Sequence, residues 1–465
     1  MSPILLGILA YVVVQLVIVF AVARRVRGEA DYLLAGRRFG PGLATFAIFA
    51  TWFGAETCIG AAGRVYEGGL FKSIADPFGY SVCLLLMGLF FAVPLWRRKL
   101  TTLADLYRQR YSPGVERVAA VLLIPTSVMW AAAQVRALGQ VLSASSQFDV
   151  ELAIAIAAGV VIIYTVYGGL MADAISDVLQ GTILMIGLVV LLVAVVSAAG
   201  GVESAIASID PQRLRLFGGP ETSTLDVLER WAVPIAGSTL AQELVAVILA
   251  SRTPEVARRS AFMGTGLYFV FGLIPVIVGL IGVSLMPGLD DPEKLLPQIA
   301  QRHLTTIPYI MFVGAIVSAI LSTVAGALLA TAALAEHNLV VPLAPSLSSA
   351  QRVRVARIGV VIAGAAAYLL ARHADGVYEL VEDASAFGSA GIFIVATIGL
   401  FSSFGGVRAA YSALVTGCAT WLAGNYLLHL PYPYLTSLVV ALGAYAMMAL
   451  TETSHRAGVT EEAAK

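Results

Sequence analysis

Charge is what this sequence lacks most. Only 12% of its 465 residues are Asp, Glu, Lys or Arg, and 59% are hydrophobic, where a soluble globular domain averages about 25% charged. Mean hydropathy of +0.87 excludes a water-soluble fold. The formal net charge is zero and no basic block or tail occurs, so nucleic acid is not expected as a partner. Cysteine is equally scarce: Cys58, Cys83 and Cys418 all lie in apolar runs without metal-ligand spacing, which leaves neither a disulfide framework nor a redox centre to expect. The five histidines are scattered, and no HExxH, GxSxG or GxxxxGK[ST] appears. The chain is therefore read as no enzyme, and the missing phosphate-cradling loop favours an ion gradient over ATP as energy source.

What is present is a series of apolar runs of about 20 residues, the length that spans a bilayer as a helix; the alternation of a membrane barrel is missing. The fold class expected is an all-α polytopic membrane protein in one transporter domain. Thirteen spans start near residues 3, 43, 76, 117, 149, 174, 226, 260, 306, 357, 377, 407 and 432. The first has no basic leader or clear cleavage site and reads as a retained helix rather than a signal peptide. With the N-terminus outside, twenty of the 29 Lys and Arg residues fall in or beside inside loops and six outside. That bias supports an odd number of spans and a cytoplasmic C-terminus. Arg outnumbers Lys by 25 to 4, which points only to a GC-rich bacterial genome; the localisation expected is the bacterial inner membrane. The longest inside connection, RRKLTTLADLYRQRYSPGVE, is expected to hold a short interfacial helix ending before Ser112-Pro113-Gly114, and the tail after Thr453 to be disordered.

Polar groups inside the spans carry the functional reading, because hydrocarbon offers a stray polar side chain no water. In the ninth span, GAIVSAILSTVAGALLATAALAEHN, Ala319, Ser322 and Thr323 share one helix face. They can present a carbonyl and two hydroxyls to a hard cation. Alternatively, the hydroxyls bond back one turn and allow close packing. Two spans read as interrupted: the second around Phe53-Gly54-Ala55-Glu56-Thr57, and the seventh around Pro234, Gly237 and Ser238. Paired broken helices at matching positions of two halves point to an inverted-repeat transporter, although each alone is explained by a simple kink. Asp177 and Gln180 lie one turn apart on the sixth span, where Asp177 either attracts a cation or bridges helices. Gln134 and Arg136 interrupt the fourth span. Arg136 needs an anion: a protein acid, with Glu56 and Glu382 as candidates, or a substrate carboxylate. On the eleventh span Glu382 and Ser385 share a face that Ser389 extends.

Three segments, AETCIG in the second span, YGGLMADAISDVLQG in the sixth and SAILSTVAGALLATAALAEHNL in the ninth, resemble the sodium:solute symporter family. That family holds bacterial proline, pantothenate, sialic acid and sugar symporters. The resemblance runs from about residue 3 to 452. It implies a leucine-transporter (LeuT) type fold, with an extra helix at 3–24, five-helix repeats at 43–200 and 226–402, two further helices at 405–452 and a cytoplasmic tail at 453–465. It implies a sodium (Na+) site made by the carbonyls of Ala50, Phe53 and Ala319 and the hydroxyls of Ser322 and Thr323, supported by Asp177. It places Glu56, Thr57, Gln242 and Glu382 against the central cavity, and Arg136 where relatives that move acidic sugars hold a carboxylate. Gln134 and Ser385 join the substrate candidates. Relatives with a second sodium site repeat hydroxyl residues where this chain has Ala325 and Gly326, so one sodium per cycle is expected.

The function expected is therefore sodium-coupled import of a small polar organic solute, one bearing a carboxylate. The partners expected are that solute, sodium and the lipid bilayer, with no obligatory protein partner. Proton coupling on the same fold, or solute sensing without transport, are the alternatives.

Overall fold

A computed structural model describes residues 28–145, 148–374 and 376–462, with a few more positions between 13 and 21. The extra helix expected at 3–24 lies largely outside the described residues. Those described form helices joined by loops, with no strand among them beyond a single bridge between Phe39 and Ser251. Among the described residues seven helices are long and apolar enough to cross a membrane, and ten if each of three bent pairs counts as one span.

The longest helix, Val150–Ala198, has 49 residues. At 1.5 Å per residue a straight helix of that length would reach about 74 Å, more than twice the roughly 30 Å of hydrocarbon. The chain resolves this at Gly169, whose φ of 65° and ψ of 171° turn the helix and divide it into the expected fifth and sixth spans. The turn is filled by the short helix Glu29–Leu34. A Cβ at Gly169 would lie 2.9 Å from the Tyr32 ring and 3.1 Å from its carbonyl, while the Tyr32 hydroxyl donates to the Thr165 carbonyl at 3.2 Å.

The three bent pairs are Pro41–Trp52 with Glu56–Gly68, Thr224–Ser238 with Gln242–Ala250, and Val377–Ala386 with Ser389–Phe401, at 56°, 44° and 43°. The first two are the interruptions expected. The third, in the eleventh span, was not expected; it turns on Gly388 at φ 66°, in a segment without proline. The ninth span, Thr306–Val340, lies at the centre. It is buried on almost every face from Phe312 to Ala333, which accounts for its apolar residues all round.

The connection expected to be an interfacial helix forms one at Ala104–Arg110. It does more than lie on a surface, because Leu103, Leu106 and Tyr107 are fully buried. This helix closes the arginine-rich face. Asn338, at the end of the ninth span, donates to Asp105 at 3.0 Å and to Glu116 at 2.8 Å, and accepts from Thr102 at 2.7 Å. Glu29 meets His337 at 2.7 Å and Arg352 at 2.9 Å. The hydrogen bond from His337, against the opposing effect of burial, holds the Glu29 carboxyl below its ordinary pKa. The final helix, Pro433–Glu462, runs past Thr453 where a disordered tail was expected.

Gly169 occupies a backbone region that only glycine enters readily, at a cost of about 1–3 kcal/mol for other residues. Gly169→Ala should lower stability by at least that amount, read as a lower thermal midpoint in detergent. An unchanged midpoint would contradict this account of the turn.

Candidate ion and solute sites at the broken helices

The break in the second span creates the first site. The helix Pro41–Trp52 ends inside the protein, and the last four carbonyls of any helix lack intrahelical partners and carry the negative end of its dipole. The Thr323 hydroxyl lies 3.0 Å from the Ala50 carbonyl and 3.0 Å from that of Ala319, one turn back on its own helix. The packing bond and the proposed ligand set thus coincide at Thr323. The neighbouring Ser322 hydroxyl donates to the Asp177 carboxylate from the sixth span. Ser322, Thr323 and Asp177 are each only 2% exposed. Phe53 is the first non-helical residue of the break, at φ −90° and ψ 70°, with its ring against Phe49 and Tyr268. Of the six residues expected at the sodium site, Thr323 thus links Ala50 to Ala319, Ser322 links to Asp177, and Phe53 stands at the break itself. Two hydroxyls, two carbonyls and a carboxylate form an all-oxygen set suited to a hard cation.

On the other side of the same break a second group converges. Gln134 accepts from the Ala55 amide at 2.8 Å and donates to Glu56 at 2.6 Å, so one side chain satisfies both the freed backbone and the buried acid. Gly54 makes room, since a Cβ there would lie 2.7 Å from both Gln134 and Glu56 oxygens. Thr57 donates to Asp76 at 2.7 Å, as does Tyr268 at 2.8 Å. The Trp130 ring lies tilted against Trp52 at 5.4 Å and Tyr80 at 6.0 Å between ring centroids. Ser385 then joins Tyr80, at 3.1 Å, to Ser238 at the break of span seven, at 3.0 Å. Trp130, Ser238, Gln242 and Ser385 line one cavity beside the breaks of spans seven and eleven.

Of the expected solute residues, Glu56, Thr57, Gln134 and Ser385 are in this group. Gln242 reaches the cavity's inner end, where its carbonyl accepts from the Leu103 amide at 2.7 Å and so anchors the closing loop. Glu382 is half-buried on Val377–Ala386, one turn before Ser385. Arg136 is elsewhere. It donates to the Ala371 carbonyl at 3.1 Å and lines an open vestibule of about 330 Å³ on the arginine-poor face, with Arg64, Glu293, Tyr378 and Glu379. Of the two acids expected to hold it, Glu56 is held by Gln134 in the central group, away from the Arg136 vestibule.

Four residues of the central group escaped the sequence reading. Asp76 had a signal, an Asp-Pro pair opening an apolar run. Trp52, Tyr80 and Trp130 had none, because an aromatic residue in an apolar span reads as packing.

Comparison with known proteins agrees with this architecture. The model of the sodium:solute symporter family matches residues 32–417. A high affinity choline transporter of Homo sapiens is 27% identical over 439 residues, covering 90% of this chain and 74% of that protein. A sodium/pantothenate symporter of Escherichia coli is 25% identical over 460 residues, covering 95% of each. Among solved structures, a sodium-coupled sialic acid symporter in a substrate-bound outward-open state superposes with a TM-score of 0.83 at 17% identity, covering 97% of this chain and 96% of that one. A nucleobase-cation-symport-1 family transporter in a closed conformation gives 0.64 at 16% identity, covering 92% and 95%. The fold is accordingly the leucine-transporter type, a five-plus-five inverted repeat with broken second and seventh helices.

Replacing Gln134 by leucine strands a buried amide and a buried carboxylate, each costing about 1–3 kcal/mol or more when unsatisfied. Gln134→Leu should therefore lower the thermal midpoint far more than Gln140→Leu in the outer vestibule; equal effects would contradict the role assigned to Gln134.

Proposed function

Because the chain belongs to the sodium:solute symporter family, we propose that it is a sodium-coupled secondary active symporter that imports a small organic cation by alternating access. The observation that carries the coupling is the all-oxygen crossing of Ala50, Ala319, Ser322, Thr323 and Asp177. Its carbonyl from the second span is only a few residues from Glu56 and Thr57, across the same break. A cation that orders the break on one side also orders the solute-facing side, so each ligand strengthens the binding of the other by linkage. The lipid setting is a bacterial inner membrane with the N-terminus outside, and the repeats are 43–200 and 226–402.

For the solute, the charge of the central group decides. Glu56 and Asp76 are 1% and 0% exposed. Trp52, Tyr80 and Trp130 stand beside them, and no Lys or Arg belongs to the group. Carboxylates with aromatic faces suit a quaternary or protonated amine, which gains about 2 kcal/mol or more from each desolvated ring. This replaces the carboxylate-bearing solute expected from sequence. That expectation needed Arg136 at the centre, whereas the arginine lines the outer vestibule. The similarity to proteins named choline transporters supports the cationic reading.

Ser322→Ala with Thr323→Ala should abolish sodium-dependent uptake into proteoliposomes while leaving a folded protein. Unchanged sodium dependence, or uptake driven by a pH gradient without sodium, would overturn the coupling. With radiolabelled choline as probe, Trp130→Ala should raise KM about tenfold or more and Arg136→Gln should leave it within about twofold. Competition by carboxylates but not by quaternary amines would restore the anionic reading.

A further inference from the structure

We propose a transition-metal site on the arginine-rich face, formed by Glu29, Glu336 and His337, which takes a divalent ion of the zinc type and holds that face closed when filled. The site stands apart from the symporter reading above, and only its closing effect rests on that reading. Glu29 opens the short helix Glu29–Leu34, and Glu336 and His337 belong to Leu334–Val340, the end of the ninth span. One ligand atom from each of the three lies within 4.8 Å of the other two. Glu336 is 1% exposed, and neither of its carboxylate oxygens has a hydrogen-bond partner.

The other two ligands are already oriented. The Arg352 guanidinium holds one oxygen of Glu29 at 2.9 Å, while the other lies 2.7 Å from Nδ1 of His337. On the far side of the ring, Nε2 lies 3.2 Å from Asp105, which also accepts from Asn338 and from the Thr101 and Thr102 amides. An imidazole whose outer nitrogen donates to a carboxylate is fixed in the tautomer that offers its other nitrogen to a metal. A metal bound at Nδ1 takes the place of the proton between His337 and Glu29, and that proton leaves to solvent. Protonation alone can neutralise Glu336, so charge does not decide what binds; the donors do. Imidazole with carboxylates suits transition ions, whereas calcium and magnesium take oxygen ligands. Three protein ligands leave the fourth position of a tetrahedral zinc site to water. The side chains of His337 and Glu29 are 22% and 16% exposed, which gives an ion a way in from this face.

The ligands and their supports come from separate elements. Glu29 lies ahead of the broken second span, Glu336 and His337 end the ninth, and Asp105 sits on the closing helix Ala104–Arg110. Alternating access requires this face to open, which parts them. A metal that binds only the assembled set therefore favours the closed arrangement.

The test titrates zinc against a chromophoric chelator in the presence of the purified full-length protein in detergent at neutral pH. The expected result is one tight ion per protein that calcium and magnesium do not displace, with affinity falling at least about tenfold in Glu336→Gln and in His337→Gln. No tight ion, an ion retained in both variants, or equal binding of calcium would overturn the site. Either variant alone decides if the other fails to purify. The closing effect is read at Ala330, which lines the chamber bordered by Leu33 and Thr101 behind this face. Modification of Ala330→Cys by a water-soluble maleimide, above the background of the unsubstituted protein, should slow about tenfold when zinc is bound; an unchanged rate would overturn the closing effect. Failure of sodium-dependent uptake would overturn the symporter reading and leave the zinc count standing.

Discussion

A broken backbone inside an apolar slab is the constraint on which the rest of the structure depends. Where the second span unwinds between Trp52 and Glu56, its amides and carbonyls have no water to turn to, and each left unpaired would cost several kcal/mol. The protein answers from neighbouring spans. Gln134 takes the Ala55 amide, Thr323 takes the Ala50 carbonyl, and Gly54 leaves the space for both Gln134 and Glu56. These repairs make the break useful. Carbonyls that point away from the helix can bind an ion on one side, and an acid held by an amide can meet a solute on the other. Under the symporter reading, coupling needs no long pathway, because both proposed sites border one break in the chain.

The surroundings fit a molecule that must open on alternate sides. On the arginine-poor face Arg64, lying 4.9 Å over the Tyr378 ring, pairs with Glu379 and ties span two to span eleven. On the arginine-rich face, Asn338, His337 and Arg352 tie the ends of spans nine and ten to Asp105, Glu116 and Glu29. Both sets join segments far apart in the chain, and both consist of polar contacts. The core between them is apolar, with the ninth span buried on almost every face. Motion is therefore expected at the polar ends and at the three breaks, with the central helix as the fixed element.

Much of this was legible in sequence for a simple reason: in hydrocarbon, polarity and backbone breakers are conspicuous. Ser322 and Thr323 stood out from an apolar run, and Gly54 and Pro234 marked the first two breaks. The third break escaped because Gly388 sits in a segment rich in small residues, where a glycine is unremarkable. Depth was not legible either. Arg136 and Gln134 are two residues apart, yet one reaches the centre and the other the outer vestibule, since adjacent turns and opposite faces of a helix see different surroundings. Aromatic residues were the largest loss. Trp52, Tyr80 and Trp130 come together only in three dimensions, with Trp130 between the other two.

The central claim, that the crossing of spans two, six and nine binds sodium as part of the fold, is tested most directly by thermal unfolding of the purified protein as sodium replaces potassium at constant ionic strength. A ligand held only by the native state raises the midpoint in proportion to the logarithm of its concentration above its Kd. The expected result is a midpoint that climbs with sodium concentration before any solute is added. A midpoint that is the same in sodium and in potassium would contradict it.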